Sequence, residues 1–341
     1  MTVRVGVLGA GTVGGALITR LVADRDAIRL KSGVDLEVKR VAVRDLAKGR
    51  PFTLAEDRMT DDPLAVATDP AIDVIVEVIG GLEPAGDLVL AALRSGKPVV
   101  TANKELIATR GQEITEAAKR AGVSVMYEAA VGGGIPVIRP LAESLAGEDI
   151  DVVSGIVNGT TNYILTAMAK EGRAYEEALT EAQRLGYAEA DPGDDVSGRD
   201  AAFKTSILAS LAFGERVAPW EVETEGIENV TAEDVAAAAG RGEVIKLIGS
   251  ARRGIDGRVE ARVEPSSLPA DHPLAGVSGV TNAIFIEGPS VGRLLFTGPG
   301  AGGQPTASAM LGDLIQVASR GRAPRVRSAH DGSPRRQVLH R

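Results

Sequence analysis

Two charged residues one helical turn apart, Asp200 and Lys204, lie in the segment GYAEADPGDDVSGRDAAFKTSILASL that runs from Gly186 to Leu211. The segment begins as an acidic stretch broken by Gly and Pro and continues as an Ala-rich helical pattern. Wound at about 100° per residue, its second half places Asp200, Lys204, Ile207 and Leu211 on one narrow arc. Ile207 and Leu211 turn that arc toward the interior. Charges on such a face cost desolvation energy unless they are paired or used. The pair is therefore either a structural i,i+4 ion pair or a site where an ammonium and a carboxylate do chemistry. The pattern alone leaves both readings open.

The rest of the composition narrows the chemistry. The 341 residues contain no Cys, which removes disulfides, thiolate zinc sites and thiol nucleophiles. The histidines are His272, in a Pro-flanked turn, and His330 and His340, in a polar tail. Histidine is thus a poor candidate for a general base, and acid–base work falls to Lys, Asp, Glu or Tyr. The net charge of −8 argues against a nucleic-acid partner. No apolar run reaches the ~18 residues of a membrane helix. The opening MTVRVGVLGAG reads as a strand rather than a signal peptide. These features point to a cytoplasmic protein with a small-molecule substrate.

The elements that must position such a site follow from periodicity. Val3 to Leu8 is a β-branched strand, and Gly9-Ala10-Gly11-Thr12-Val13-Gly14 leads from it into a helical pattern. A GxGxxG run between strand and helix suits a dinucleotide: Gly9 for the turn, Gly11 for the pyrophosphate, Gly14 for close helix packing. The second strand, Leu36 to Val43, ends in Arg44-Asp45. Arg44 favours a 2′-phosphate and NADP, whereas Asp45 keeps NAD open. Further alternation of strands and helices predicts an α/β Rossmann-type doubly wound parallel sheet over residues 1–135, completed by a C-terminal helix over 304–320. Its strand ends carry Gly80-Gly81, Thr101-Ala102-Asn103-Lys104 and the turn Glu128 to Ile135. A lysine opening a helix needs another partner, which puts Lys104 at the mouth of the sheet. The 128–135 turn reads as a hinge, or as oxygen ligands for a cation.

Beyond Pro136 the rhythm changes to an α+β unit over 136–303, a sheet with helices on one face. Helical patterns cover Pro136 to Leu145 and the stretch to Ala169, the latter capped by Thr160-Thr161-Asn162. A second Gly-rich loop, 298–303, precedes a helix from Thr306 to Ser319 and suits close backbone approach to a ligand. The Arg-, Pro- and Ser-containing tail, 321–341, reads as disordered.

Taken together, GAGTVG, EVIGG, TANKE, YEAAVGGGIPVI, VNGTTNYIL, LGYAEADPGDDVSGRDAAFKTSIL and GPGAGGQPTASAM resemble the homoserine dehydrogenases, in order and over nearly the whole chain. The resemblance implies reversible hydride transfer between NADP or NAD and L-aspartate 4-semialdehyde, giving L-homoserine for threonine, methionine and isoleucine synthesis. It implies Gly9, Gly11, Thr12 and Val13 on the dinucleotide, Arg44 at the 2′-phosphate, and Thr101 and Lys104 of the TANK motif near the nicotinamide. Gly186 and Glu189 then line the substrate and cofactor cleft, Asp200 contacts substrate or its water, and Lys204 is the usual proton donor. Gly303 returns to the cofactor, while Glu128, Val131, Gly133 and Ile135 match a sodium site, mainly through backbone oxygens. The family is oligomeric, so a homodimer or homotetramer that includes the second unit is expected. Many members carry a C-terminal regulatory domain; only the arginine-rich tail follows here, so no feedback inhibition through such a domain is expected. A phosphorylating aspartate-semialdehyde dehydrogenase would need a catalytic Cys. A nucleotide-sensing protein without turnover would have no use for two charges on an apolar helix face. The division of labour between Lys204 and Lys104 stays open.

Overall fold

The computed structural model describes residues 2–319; the tail expected to be disordered lies outside them. Strands β1 (Thr2–Leu8), β2 (Asp35–Ala42), β3 (Met59–Thr60), β4 (Val74–Glu77), β5 (Val99–Thr101) and β6 (Val125–Met126) form one sheet in the order β3-β2-β1-β4-β5-β6. Every pairing in it is parallel. Val5, Val7 and Leu8 on β1 and Val74, Ile75 and Val76 on β4 are buried on both faces, as a parallel sheet covered by helices requires. The covering helices are α1 (Thr12–Ala23), α2 (Arg25–Ser32), α3 (Pro63–Thr68), α4 (Ala85–Arg94) and α5 (Lys104–Ala121). The strand order reverses between β1 and β4, and a crevice opens at their carboxyl ends, where such sheets bind ligands.

The second sheet is mixed. Strand β7 (Val152–Ile156) is followed by helices α6 (Gly159–Glu171), α7 (Tyr175–Arg184), α8 (Gly193–Val196) and α9 (Arg199–Phe213). Then come β8 (Glu223–Thr224), α10 (Ala232–Gly240), β9 (Glu243–Arg253), β10 (Val259–Pro269), β11 (Thr281–Gly288) and β12 (Gly292–Pro299). Their order in the sheet is β12-β11-β7-β9-β10-β8. Alternation sorts the faces. Val153, Leu247, Ala251, Ala261, Val263, Ile284 and Ile286 join the core that includes Ala201, Ala202 and Leu208 of α9. On the opposite side Ile156, Ile248, Ala283 and Phe285 pack with Leu274 and Val277 of the 270–280 segment. The expected hairpin at Gly288-Pro289 joins β11 to β12.

Helix α11 (Gly303–Ser319) then leaves the second sheet and returns to the first. Its Ala307, Met310, Leu311 and Leu314 pack with Leu17, Ile18 and Leu21 of α1. Each buried Leu, Ile or Met side chain among them contributes about 1.5–3 kcal/mol, so α11 is firmly held there.

Two local expectations change. Helix α6 is capped by Asn158, just ahead of the expected Thr160-Thr161-Asn162: its side-chain oxygen accepts the Thr161 N–H at 2.9 Å. The helix expected over 136–145 is a π-type turn across Pro140–Ser144. Pro140 has no N–H to extend an α ladder, and the Leu145 N–H reaches five residues back to the Pro140 carbonyl.

Lys246 on β9 is 2% exposed. Its ammonium donates to Asn162 Oδ1 at 2.9 Å and to the Val277 carbonyl at 2.6 Å, tying α6 to the 270–280 segment. No carboxylate pairs with it among the described residues. Burial, with Lys170 adding repulsion, lowers its pKa from 10.5 to about 8. The unfolded chain therefore binds the proton more tightly than the folded one, and stability rises with pH between those two values. Urea midpoints of the wild type and Lys246→Met should diverge in the wild type's favour as pH rises from about 8 toward 10, by a few kcal/mol at most. A gap that does not change with pH would contradict this assignment.

Candidate active site

The cleft at the β1–β4 reversal has a volume of about 790 Å³ and is lined by Gly9, Ala10 and Gly11 on one side and Val78 to Gly80 on the other. Gly9 takes a φ of 101°, open to glycine and strained for other residues, and a Cβ there would sit 2.7 Å from the Val78 carbonyl. Gly11 has nothing within 4 Å of a would-be Cβ, which leaves its backbone open to a ligand. Thr12 and Val13 open α1, so its free N–H groups and positive dipole end face the cleft. Gly303 packs on this helix: a Cβ there would lie 3.0 Å from the Thr12 carbonyl and 3.3 Å from Ala16. The far end of the cleft, beyond β2, carries Arg44, Lys48 and Arg50. Asp45 turns one carboxylate oxygen back onto the Ala47 N–H at 2.9 Å, and its carbonyl accepts from Arg50.

At the other end, a buried network shapes the rim. Glu77 closes β4 with no exposure to solvent. Its Oε1 accepts the N–H groups of Ile79 (2.7 Å) and Gly80 (3.2 Å), and its Oε2 accepts the Thr101 hydroxyl (2.5 Å). The Thr101 oxygen in turn accepts the Asn103 N–H. Asn103 caps α5 through Leu106 N–H and donates to the Gly81 carbonyl. Thr101 is thus a buried strut beneath the rim and lines neither cleft. Its effect is to fix the Gly80-Gly81 turn and the first turn of α5, where Lys104 stands.

A second cleft, of about 510 Å³, adjoins the first: Gly80 lines both. Lys104, Glu189, Asp195, Asp200 and Phe203 are among its walls. Here the sequence arc becomes a cluster. Asp200 Oδ2 accepts from Lys204 Nζ at 2.7 Å, and Asp200 Oδ1 pairs with Lys104 Nζ at 3.0 Å. Lys204 Nζ also donates to the Val157 carbonyl at 2.7 Å. Asn158 donates to Asp200 Oδ2 at 2.9 Å. Burial alone would raise the Asp200 carboxyl pKa, but Lys204 and then Lys104 outweigh it and hold the group well below the usual carboxylate range. Burial likewise opposes the Lys104 charge, and Asp200 reverses that, leaving the Lys104 pKa raised. The two lysines differ in access: the Lys104 side chain is 40% exposed, that of Lys204 12%.

The 128–135 turn has a different character from the one expected. The Glu128 carboxylate is buried and already accepts three backbone N–H groups, from Val137, Ile138 and Arg139. Its own N–H donates to Asp313 of α11, which also receives Arg139. Burial pushes the Asp313 carboxyl up to about 6. The carboxylate of Glu128 is therefore a structural knot and not a free cation ligand. The carbonyls of Val131, Gly133 and Ile135 accept no hydrogen bond from the described residues. Gly186, just beyond α7, takes a φ of 76°, a conformation open to glycine.

Several residues at the site were not singled out from sequence: Asn158, Glu77, Asn103 and Asp195. Asn158 and Asn103 carried a readable signal, a side-chain acceptor just before a helix. Glu77 ends a strand of four buried residues, and a carboxylate there has to find partners.

A dinucleotide crevice on a doubly wound sheet, opening onto a carboxylate that carries two ammonium groups, defines a nicotinamide-dependent oxidoreductase. The family model described as homoserine dehydrogenase matches residues 136–315, and that described as the homoserine dehydrogenase NAD-binding domain matches residues 9–128. The chain belongs to the homoserine dehydrogenase family. It is 49% identical over 320 residues to the homoserine dehydrogenase of Synechocystis sp., covering 93% of this chain and 73% of that one. The crystal structure of a homoserine dehydrogenase from Thiobacillus denitrificans superposes with a TM-score of 0.88 at 46% identity, covering 95% and 76% of the two chains. A hyperthermophilic archaeal homoserine dehydrogenase in complex with NADPH matches with a TM-score of 0.78 at 31% identity, covering 93% and 98%.

The rim network makes a prediction. Glu77→Gln keeps the shape and the acceptor for Ile79 and Gly80, whereas Glu77→Ala strands those N–H groups and the Thr101 hydroxyl in the interior. The alanine variant should lose about 3 kcal/mol of stability and most of its kcat/KM. The glutamine variant should stay close to wild type in thermal midpoint. Equal midpoints for the two variants would show that the buried hydrogen bonds do not support the rim.

Proposed function

We propose that the carboxylate of Asp200, flanked by Lys204 and Lys104, is where this chain reduces L-aspartate 4-semialdehyde to L-homoserine, and that NADPH is its preferred cofactor. The observation that carries this reading is the division of one carboxylate, in the wall of the second cleft, between two lysines. When bound, the reduced nicotinamide supplies the hydride. As the aldehyde carbon accepts it, the aldehyde oxygen gains negative charge and needs a nearby donor. Lys204 fits that task. Two of its three N–H groups are fixed, by Asp200 and by the Val157 carbonyl, which aims the third. Lys104, more exposed and paired with Asp200 Oδ1, has protons left over to hold the substrate carboxylate. Glu189 stands in the same cleft as an acceptor for the substrate's α-ammonium group.

Three cations beyond β2, Arg44, Lys48 and Arg50, suit a 2′-phosphate, and Asp45 has committed one carboxylate oxygen to its own turn. A sodium ion would be held by the backbone carbonyls of Glu128, Val131, Gly133 and Ile135, with the Glu128 carboxylate bracing the loop from behind. Strand β12 is a sheet edge of alternating exposure with Leu295 44% exposed, which supports a homodimer built on the second sheet. The chain divides into a dinucleotide unit, 1–135 with α11, and a substrate unit, 136–303. Among the described residues no helix is long and apolar enough to cross a membrane, and we place the protein in the cytoplasm, feeding threonine, methionine and isoleucine synthesis.

Absorbance assays of homoserine oxidation with NADP and NAD in parallel test the whole reading; no change with either would end it. Lys204→Ala should lower turnover by ~10²-fold or more while cofactor affinity stays nearly intact. Unchanged turnover would move the proton to Lys104. Arg44→Ala should weaken NADPH by ~10-fold or more and NADH little; equal losses would remove Arg44 from the 2′-phosphate.

A further inference from the structure

Asn158 sits between β7 and α6 and is 4% exposed. Its side-chain oxygen accepts the Thr161 N–H at 2.9 Å and the Thr161 hydroxyl at 3.1 Å. A backbone N–H can only donate, so the amide orientation is forced, and the NH₂ group faces the other way. There it donates to Asp195 Oδ1 at 2.7 Å and to Asp200 Oδ2 at 2.9 Å. One nitrogen thus holds two carboxylates that would otherwise repel. It also leaves Asp200 Oδ2 shared between Asn158 and Lys204, and Oδ1 to Lys104.

We propose that Asn158 is a positioning residue for the reaction: its two amide N–H groups fix which oxygen of Asp200 serves which lysine, and turn Asp195 into the substrate cleft. This deepens the reading of Asp200 given above and rests on it. The capping role and the positioning role use opposite ends of the same amide, so they can be separated. Aspartate is as good an N-cap as asparagine, and Asn158→Asp keeps the cap. It removes both donors and sets a third carboxylate against Asp195 from α8 and Asp200 from α9. Lys204 from α9 and Lys104 from α5 are the cations facing the same place. A proton taken up by the new cluster restores an O–H donor at position 158, and clustered carboxylates bind such a proton more readily than isolated ones.

The experiment compares wild type, Asn158→Asp, Asn158→Ser and Asp200→Asn, measuring thermal midpoint, NADPH affinity and kcat between about pH 6 and about pH 8. Asn158→Asp is expected to keep its NADPH affinity, to lose ~10-fold or more in kcat at about pH 8 together with part of its midpoint there, and to recover both relative to wild type as pH falls. Asn158→Ser, which keeps a capping oxygen and adds no charge, should lose kcat without that recovery. Wild-type kcat in Asn158→Asp at every pH overturns the proposal. So does a loss that is the same at every pH and tracks a fallen midpoint, which marks a cap and nothing more. If Asn158→Asp does not fold, Asn158→Ser decides: lowered kcat with an intact midpoint supports the proposal, and wild-type kcat refutes it. Full activity in Asp200→Asn would mean that the Asp200 reading itself has failed, an outcome distinct from failure at Asn158 alone.

Discussion

One buried carboxylate sets the constraint on which the rest of the structure turns. Asp200 is enclosed, and an enclosed carboxylate is stable in its charged form only if donors surround it. Here Lys204, Lys104 and Asn158 supply them. They come from three places in the chain: Lys204 from α9 itself, Lys104 from the first turn of α5, and Asn158 from the end of β7. The need to satisfy one charge therefore ties the first sheet to the second. Removing any donor leaves the others holding an incompletely paired group in a low-dielectric setting, where a lost partner costs more than it does on the surface.

The supports behind each donor follow the same logic. Lys104 is at a helix N-terminus, where a cation is unfavourable on dipole grounds. It is tolerated because Asp200 faces it and because Asn103 and the Glu77–Thr101 pair hold the start of α5. Lys204 would be costly on an interior face, and the Val157 carbonyl and Asp200 take two of its protons. Asn158 is itself fixed by capping α6. The charged groups of the cluster are thus on helix starts and a helix face, each braced by buried hydrogen bonds, while the exposed acids such as Glu189 sit on the loop between α7 and α8.

Much of this was legible in the sequence, and for identifiable reasons. The alternation of β-branched strands with helices forces a parallel sheet, and the glycines at 9, 11 and 14 mark its crevice. The Asp200–Lys204 spacing is local, so helical phase alone places both on one face. What periodicity cannot reach is pairing across the chain: that Lys104 meets Asp200 depends on two sheets packing, ninety-six positions apart (200 − 104). Glu128 shows what local composition leaves undecided. A carboxylate beside a glycine-rich turn has the look of a cation ligand, yet three amides of the following turn reach it first. Thr101 and Gly186 lie within matching motifs and also have local structural roles, one as a buried hydroxyl bound to Glu77 and the other as a helix stop.

The angle between the two sheets then becomes a chemical quantity, because it sets the distance from the dinucleotide crevice to Asp200. Helix α11 is one of the contacts that hold it, beside the packing of α5 on α9. The helix starts at Gly303, in contact with Thr12 at the crevice, and its apolar face is sealed into the core around α1. Near its end, Asp313 takes the Glu128 N–H and the Arg139 guanidinium, both from the connection between the sheets. Glu128 in turn collects the amides of Val137 to Arg139. A buried acid that binds a backbone N–H and a cation from the connecting segment resists rotation there more strongly than apolar packing would, since hydrogen bonds are directional and apolar contacts can slide. The final helix thus belongs by packing to the crevice and by charge to the connection. The placement of the Asp200 cluster relative to the cofactor crevice depends on both contacts at once.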